Sequence, residues 1–375
     1  MSADQPSVGT SPAAAAPFVR TYRPWLDGIR AVAVIAVVVE HVVSGAGPRV
    51  LQGLGETGVA MFFGLSGYLI TGLLLDELGR TGRVRLLAFY VRRSARLLPA
   101  LVVVLVVCDL AFWLTGRDGF LRPTLYALTY VANYATVLSG DYLMGYGQTW
   151  SLAVEEHFYL VWPLVLVVAA RRGGAGTVVR VAIVGCALAV GWRLALALTV
   201  DPALLLYHGS LERADAVLYG CAAAAAVAAR GWRPAAWVLP VSLLALGAAV
   251  VVTDGGPFGR VVVQALLGLA AAGLAAGLDV GPGGRGRRAF AWRPLVAVGT
   301  VSYGLYLWHW PLFSLFGDLT GHRVLPQALV AVTVLPAAAT ASYLLVERPV
   351  RDRVRRMLRE RRAGEVTSPR SPARP

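Results

Sequence analysis

The sequence predicts an all-α protein: a polytopic transmembrane helical bundle of about ten spans with both termini cytoplasmic. Three observations carry this. Of the 375 residues, 57% are hydrophobic and only 15% charged, and the mean hydropathy is +0.62. Apolar runs recur from residue 31 to 346 with little polar sequence between them, which is the pattern of a helical membrane protein rather than a soluble globule. The formal charge of +14 comes from arginine without any lysine, and these arginines sit at the ends of apolar runs. That placement orients helices in a bilayer; it does not build the basic face that nucleic acid requires.

Residues 1–20 are rich in Ser, Pro and Ala and lack an apolar core, so a disordered tail is expected rather than a cleaved signal. The first span runs from about Asp27 to Gly45. The second, about 57–75, carries Gly58, Gly64, Ser66 and Gly67, small residues that suit close helix packing. Residues 76–96 hold Arg80, Arg83, Arg85, Arg92, Arg93 and Arg96, which marks a cytoplasmic loop. Further spans are expected near 97–115, 150–170, 178–200, 213–229, 235–253, 260–279, 296–317 and 326–346. Residues 123–138 are short and interrupted by Asn133. Counting them as a span would put Arg171, Arg172, Arg230, Arg233 and Arg285 outside, so 116–149 reads as an external loop with a short re-entrant or interfacial helix. The membrane domain is thus 21–350, and 351–375 form a basic juxtamembrane helix and a disordered end. Cys108, Cys186 and Cys221 lie inside apolar runs without metal or redox spacing and read as packing residues; no metal site is expected.

Polar groups inside these runs are costly unless paired or facing a wet cavity, so they are the candidates for chemistry. The first span reads WLDGIRAVAVIAVVVEHVVS. As a helix it puts Arg30 and His41 on one face, roughly 16 Å apart along the axis, with Asp27 near that face and Glu40 turned from it. A capped helix start and a satisfied core histidine account for these residues equally well when they are taken alone. Arg93 and Arg96 share a side at i, i+3 and form a pair of guanidinium groups suited to phosphate. In QTWSLAVEEHFYLVWP, Ser151, Glu155 and Tyr159 share a face while Glu156 points to another helix or to solvent. Near 213, Arg213 and Asp215 are placed to pair at the outer surface, or Asp215 and Tyr219 to share a face. In VGTVSYGLYLWHWPLF, Ser302, Tyr306, His309 and Phe313 line one stripe flanked by Trp308 and Trp310. Glu347, after Tyr343, is expected to bridge to the arginine loop. A base, an anion site and an aromatic-polar pocket are the parts of a transferase.

In order along the chain, LDGIRAVAV followed by a histidine, FFGLSGYLIT, YVRRSARLLP, TWSLAVEEHFYLVWP, RADAVLYG, VSYGLYLWHWP and SYLLVERP resemble the successive motifs of the acyltransferase-3 family of integral membrane acyltransferases, over about residues 22–349. The resemblance implies about ten spans in the plasma membrane and O-acyl transfer to a carbohydrate or glycosylated acceptor. By the same resemblance the donor is cytoplasmic acyl-CoA, acetyl-CoA foremost, with no permanently bound cofactor. It implies catalytic roles for His41, Arg30, Glu347 and Glu155. Arg93, Arg96 and Arg30 are then expected to hold the donor, and Ser151, Tyr159, Tyr306, His309 and Trp308 the acceptor. His157 departs from the family, which usually has glutamine there. No SGNH-type hydrolase domain is seen, so a stand-alone transferase is expected. A transporter or flippase for an anionic or glycan substrate is the alternative, although the chain lacks the matching interrupted halves common in transporters.

Overall fold

The computed structural model describes residues 22–43, 51, 53–140, 143–199, 203–251 and 256–367, and every regular element among them is helical. The tail expected at 1–20 and the last residues of the chain lie outside the described residues. In order the elements are α1 (Pro24–Val43), α2 (Leu54–Thr81), α3 (Leu86–Leu114), α4 (Leu121–Leu128), α5 (Ala132–Ser139), α6 (Thr149–Thr199), α7 (Ala203–His208) and α8 (Ala214–Arg230). They continue with α9 (Val238–Ala249), α10 (Gly256–Asp279), α11 (Gly284–Phe290), α12 (Arg293–Thr300), α13 (Ser302–Thr320), α14 (Val324–Val332) and α15 (Val334–Ser342). A π-helical turn (Tyr343–Glu347) then leads into α16 (Arg348–Thr367).

Five helical stretches among the described residues are long and apolar enough to cross a membrane: α2, α3, α6, α10 and the run Val324–Glu360. The protein is a multi-pass membrane protein. Helix α1 falls outside this group because Asp27, Arg30 and Glu40 interrupt its 20 residues. Where two spans are expected at 150–170 and 178–200, α6 is broken at Gly173 and Gly174, the latter at φ +67°. Left-handed backbone of this kind is easy only for glycine. The two arms fold against each other, bringing Trp162, Leu166 and Ala169 into one apolar cluster with Val178, Ala182 and Cys186.

Helix α3 starts at Leu86, ahead of the expected span, so Arg92, Arg93 and Arg96 ride on the helix and the loop contracts to a few residues. Helices α4 and α5, at 8 residues each, are about 12 Å long and too short to cross, in keeping with the exclusion of 123–138 from the spans. They join at Tyr130, whose φ is +56°.

Helix α2 lies at the centre, against α1, α8 and α10. It meets α8 glycine to glycine: a methyl on Gly67 would overlap the Val217 carbonyl, and one on Gly220 would overlap the Gly64 carbonyl. Small residues let the backbones approach this closely, and association in lipid depends on such packing. The exception among the expected small residues is Ser66, whose hydroxyl serves Glu155 at 2.9 Å. The three cysteines are buried free thiols.

Candidate active site

Helix α1 is held by a polar clasp at each end. At its start Arg23 pairs with Asp279 of α10, and the same carboxylate oxygen accepts the Tyr68 hydroxyl at 2.7 Å. At its far end Glu40 accepts the backbone N–H of Gly55 at 2.6 Å. A carboxylate there meets orphan amides and the positive end of the α2 dipole. Between the clasps α1 carries Arg30 and His41.

Around Arg30 the structure gathers the arginines. Arg30 pairs with Asp27 at 2.5 Å, and Asp27 also accepts the Tyr22 hydroxyl at 2.8 Å. Arg96 lies within electrostatic reach of Arg30, Arg93 and Asp27. Its neighbour Arg93 is tied down: Nε and Nη2 both donate to Glu156 Oε1, at 2.9 and 2.8 Å, and the guanidinium lies over the Tyr159 ring. Arg96 is exposed. Glu347 closes this group at the end of the π-helical turn, where it is 7% exposed, with Arg96 and Arg351 as its nearest cations. Glu347 thus lies within electrostatic reach of Arg96, an arginine of the expected 76–96 stretch that α3 now carries, without a direct ion pair to it among the described residues.

From the arginines a file of polar side chains leads to His41. Glu155 lies 3.7 Å from Arg93 and accepts the Ser66 hydroxyl. One turn along α6, Ser151 and Tyr306 share a hydrogen bond of 2.6 Å, and the Tyr306 hydroxyl also reaches the Gln148 carbonyl at 3.1 Å. The Tyr306 and His309 ring centroids are 5.3 Å apart, and those of His309 and His41 5.1 Å. Trp310 stands edge-on to His41 at 4.7 Å. The His41 ring therefore faces protein aromatics inside the bundle. Its Nδ1 lies 2.7 Å from the Val37 carbonyl. A carbonyl oxygen only accepts, so Nδ1 carries the proton and Nε2 is the basic nitrogen.

Arg30, Arg93, Arg96, Glu155 and Glu347 thus come together at one level, and Ser151, Tyr306, His309 and His41 at the next. Tyr159 belongs to the arginine level rather than to the histidine pocket. Trp308 is buried at 7% exposure with its indole N–H unpartnered, and Trp310, on the other flank of His309, is the one against His41. Asp27, Glu40 and Glu155 are engaged elsewhere, and the Val37 carbonyl orients the His41 ring. Near α8 the expected Arg213–Asp215 pair does not form: Asp215 binds Arg193 from the returning arm of α6, and Arg213 binds Glu56 of α2 at 3.1 Å, while Asp215 and Tyr219 share a face of α8. Arg213 sits among Phe63, Trp150 and Tyr207. His157 ties α6 to α5 and to the segment after α7, with Nδ1 2.7 Å from the Ser210 hydroxyl and its ring stacked on Tyr134 at 5.9 Å. Ser66, Glu156 and Trp310 are the members that sequence reading leaves out. Glu156 and Trp310 were visible there only as neighbours of chosen residues.

The family model described as an acyltransferase domain matches residues 23–347. The chain is 29% identical over 364 residues to the O-acetyltransferase OatA of Staphylococcus aureus, covering 88% of this chain and 57% of that protein. It is 29% identical to the peptidoglycan O-acetyltransferase OatA of Listeria monocytogenes, covering 89% of this chain and 56% of the relative. To the putative peptidoglycan O-acetyltransferase YrhL of Bacillus subtilis it is 31% identical, covering 88% and 55%. The chain thus spans a little over half the length of these relatives. No solved structure matches it.

Proposed function

The chain belongs to the acyltransferase family whose domain fills residues 23–347, and from that premise we propose that it is a plasma-membrane O-acyltransferase moving an acetyl or other short acyl group from acyl-CoA to a hydroxyl of a cell-wall glycan. The names of the relatives, an O-acetyltransferase and a peptidoglycan O-acetyltransferase, support the acceptor class. The observation that carries the chemistry is the polar file itself: a cluster of three arginines leads through Glu155, Ser151, Tyr306 and His309 to a histidine whose tautomer is set by the Val37 carbonyl.

In this reading the exposed Arg96, with Arg30 and Arg93, holds the donor's phosphates through charge-assisted hydrogen bonds. The rise of roughly 16 Å from Arg30 to His41 is spanned by the donor's extended arm, which brings the thioester to the imidazole. Nε2 of His41 removes the acceptor hydroxyl proton as that oxygen attacks the thioester carbonyl. The C–S bond then breaks and the departing thiolate takes the proton from the imidazolium, leaving an ester and a free thiol. Ten passes with both termini cytoplasmic, counting both arms of α6, let the donor enter from inside while the acceptor comes from outside.

The test is acceptor-dependent release of thiol from acetyl-CoA by the protein purified into nanodiscs, with mass spectrometry of the glycan. Thiol release matched by an acetylated glycan is expected. Movement of the glycan across the bilayer without covalent change would overturn the reading in favour of transport.

A further inference from the structure

Beyond the break at Gly173 and Gly174, the returning arm of α6 and the end of α8 leave a cavity of about 240 Å³ between them. It is lined by Gly176, Val179 and Arg180 of the one and by Ala226 and Arg230 of the other. Both arginines are exposed, while Gly176, Val179 and Ala226 are half-buried. The Arg180 guanidinium is held in place: the Thr177 hydroxyl donates to the Gly173 carbonyl at 3.1 Å, and Arg180 Nη2 donates to the Thr177 oxygen at 3.0 Å. Its other N–H donors remain for a ligand. The stretches 171–180 and 230–233 hold five arginines and no acid. Among the described residues no carboxylate pairs with any of these five, whereas Arg80, at the end of α2, is paired with Asp76. Orientation in a bilayer asks for arginines at helix ends, but it does not ask for a hollow lined by two of them.

We propose that this cavity holds the phosphodiester headgroup of an anionic membrane lipid, with Arg180 and Arg230 on its phosphate and Val179 and Ala226 against its glycerol. Basic pockets between spanning helices at the inner face of a membrane take such headgroups, and guanidinium groups match phosphate through paired N–H donors. The volume lies below the roughly 300 Å³ at which sites for drug-sized ligands begin, so the cavity admits a headgroup and not a coenzyme. A free phosphate would use the arginines and leave the apolar side wet. The lipid bridges the returning arm of α6 and α8, which already pack through Val178 and Ala182 against Cys221 and Ala225, and so it stabilises the fold-back. The site shares no residue with the cluster of Arg30, Arg93 and Arg96 and stands apart from the transferase reading.

The test takes the full-length protein, stripped of lipid in dodecyl maltoside, and adds phosphatidylglycerol, phosphatidylcholine or inorganic phosphate at fixed ionic strength. Native mass spectrometry counts the lipid retained, and thermal unfolding follows stability. One phosphatidylglycerol should be retained in preference to phosphatidylcholine and should raise the midpoint by about 2–4 °C. Arg180→Gln and Arg230→Gln should each weaken retention about fivefold, since an arginine near an anionic headgroup contributes about 1 kcal/mol. Arg172→Gln and Arg233→Gln, which remove the same charge outside the cavity, should leave retention unchanged. Without lipid the midpoints of all four variants should match wild type, because these side chains are exposed. Equal retention of the two lipids by wild type would overturn the proposal. So would a preference that survives in the Arg180→Gln, Arg230→Gln double variant, or equal losses in the Arg172 and Arg233 variants. Stabilisation by inorganic phosphate as large as that by phosphatidylglycerol would overturn the lipid and leave a free-anion site.

Discussion

Arg93 is bound by Glu156 rather than by Glu155: its Nη2 is 2.8 Å from the first carboxylate and 3.7 Å from the second. The neighbouring acid is left to accept the Ser66 hydroxyl and to continue the line toward the histidines. The two glutamates are adjacent in sequence and do different work. Glu156→Gln should therefore loosen Arg93 and raise KM for the donor roughly three- to tenfold, consistent with losing about 1 kcal/mol of charge-assisted bonding. Glu155→Gln should depress kcat more than it changes that KM. Steady-state kinetics with donor and acceptor varied separately distinguish the two.

Arg96 is exposed next to Arg30 and Arg93, and its removal leaves Arg351 as a cation beside the buried Glu347 carboxylate. Arg96→Gln should leave the unfolding midpoint within a degree or two while raising donor KM by about tenfold, the equivalent of about 1.4 kcal/mol of binding. Binding of a non-hydrolysable donor analogue, followed by calorimetry, checks the same point without turnover.

His41→Ala should lower acyl transfer by about a hundredfold to ten-thousandfold, the usual contribution of a positioned proton acceptor. Insertion and unfolding behaviour should be close to wild type, because the clasps at Arg23 and Glu40 that hold α1 remain. Near-normal transfer by this variant would remove His41 from the mechanism.

Arg193 and Asp215 form an ion pair with both side chains at 1% exposure or less, and Arg193 also donates to Gln264 at 2.8 Å. Asp215→Ala should cost about 3–5 kcal/mol, since it strands a buried guanidinium. The double replacement Arg193→Met with Asp215→Leu should recover most of that loss. Thermal unfolding in detergent of the two single variants and the double variant measures the coupling.

At the α2–α8 crossing, Gly67→Ala and Gly220→Ala each place a methyl against backbone oxygen. Overpacking of this kind costs about 1–3 kcal/mol, so both variants should show lower unfolding midpoints and reduced yield, and Gly79→Ala, which meets nothing, should not.

What was legible beforehand follows from periodicity within single helices. Arg30 and His41 on one face, Arg93 beside Arg96, and the Ser151–Glu155 and Tyr306–His309 stripes all depend on spacing alone, and they are found together. Partners between helices were not legible. Whether Glu155 or Glu156 meets Arg93 depends on how α3 and α6 cross, since adjacent helical residues point about 100° apart. Asp215 and Arg193 meet only because α6 doubles back at Gly173 and Gly174, a fold-back whose side-chain consequences the local sequence does not display. Trp310 was passed over for Trp308 because both flank His309, and only the packing of α13 against α1 chooses between them.

With both ends of α1 fastened, to α10 through Arg23 and to the start of α2 through Glu40, the helix between them works as a ruler of set length. The residues from Ala31 to Val39 are exchangeable for other apolar side chains of similar bulk, yet their number is not: one extra residue would swing His41 about 100° around the axis while the arginines stayed where they are. Chemistry at this centre is thus indexed by counting along a helix, and a single-residue insertion is a sharper perturbation than almost any substitution.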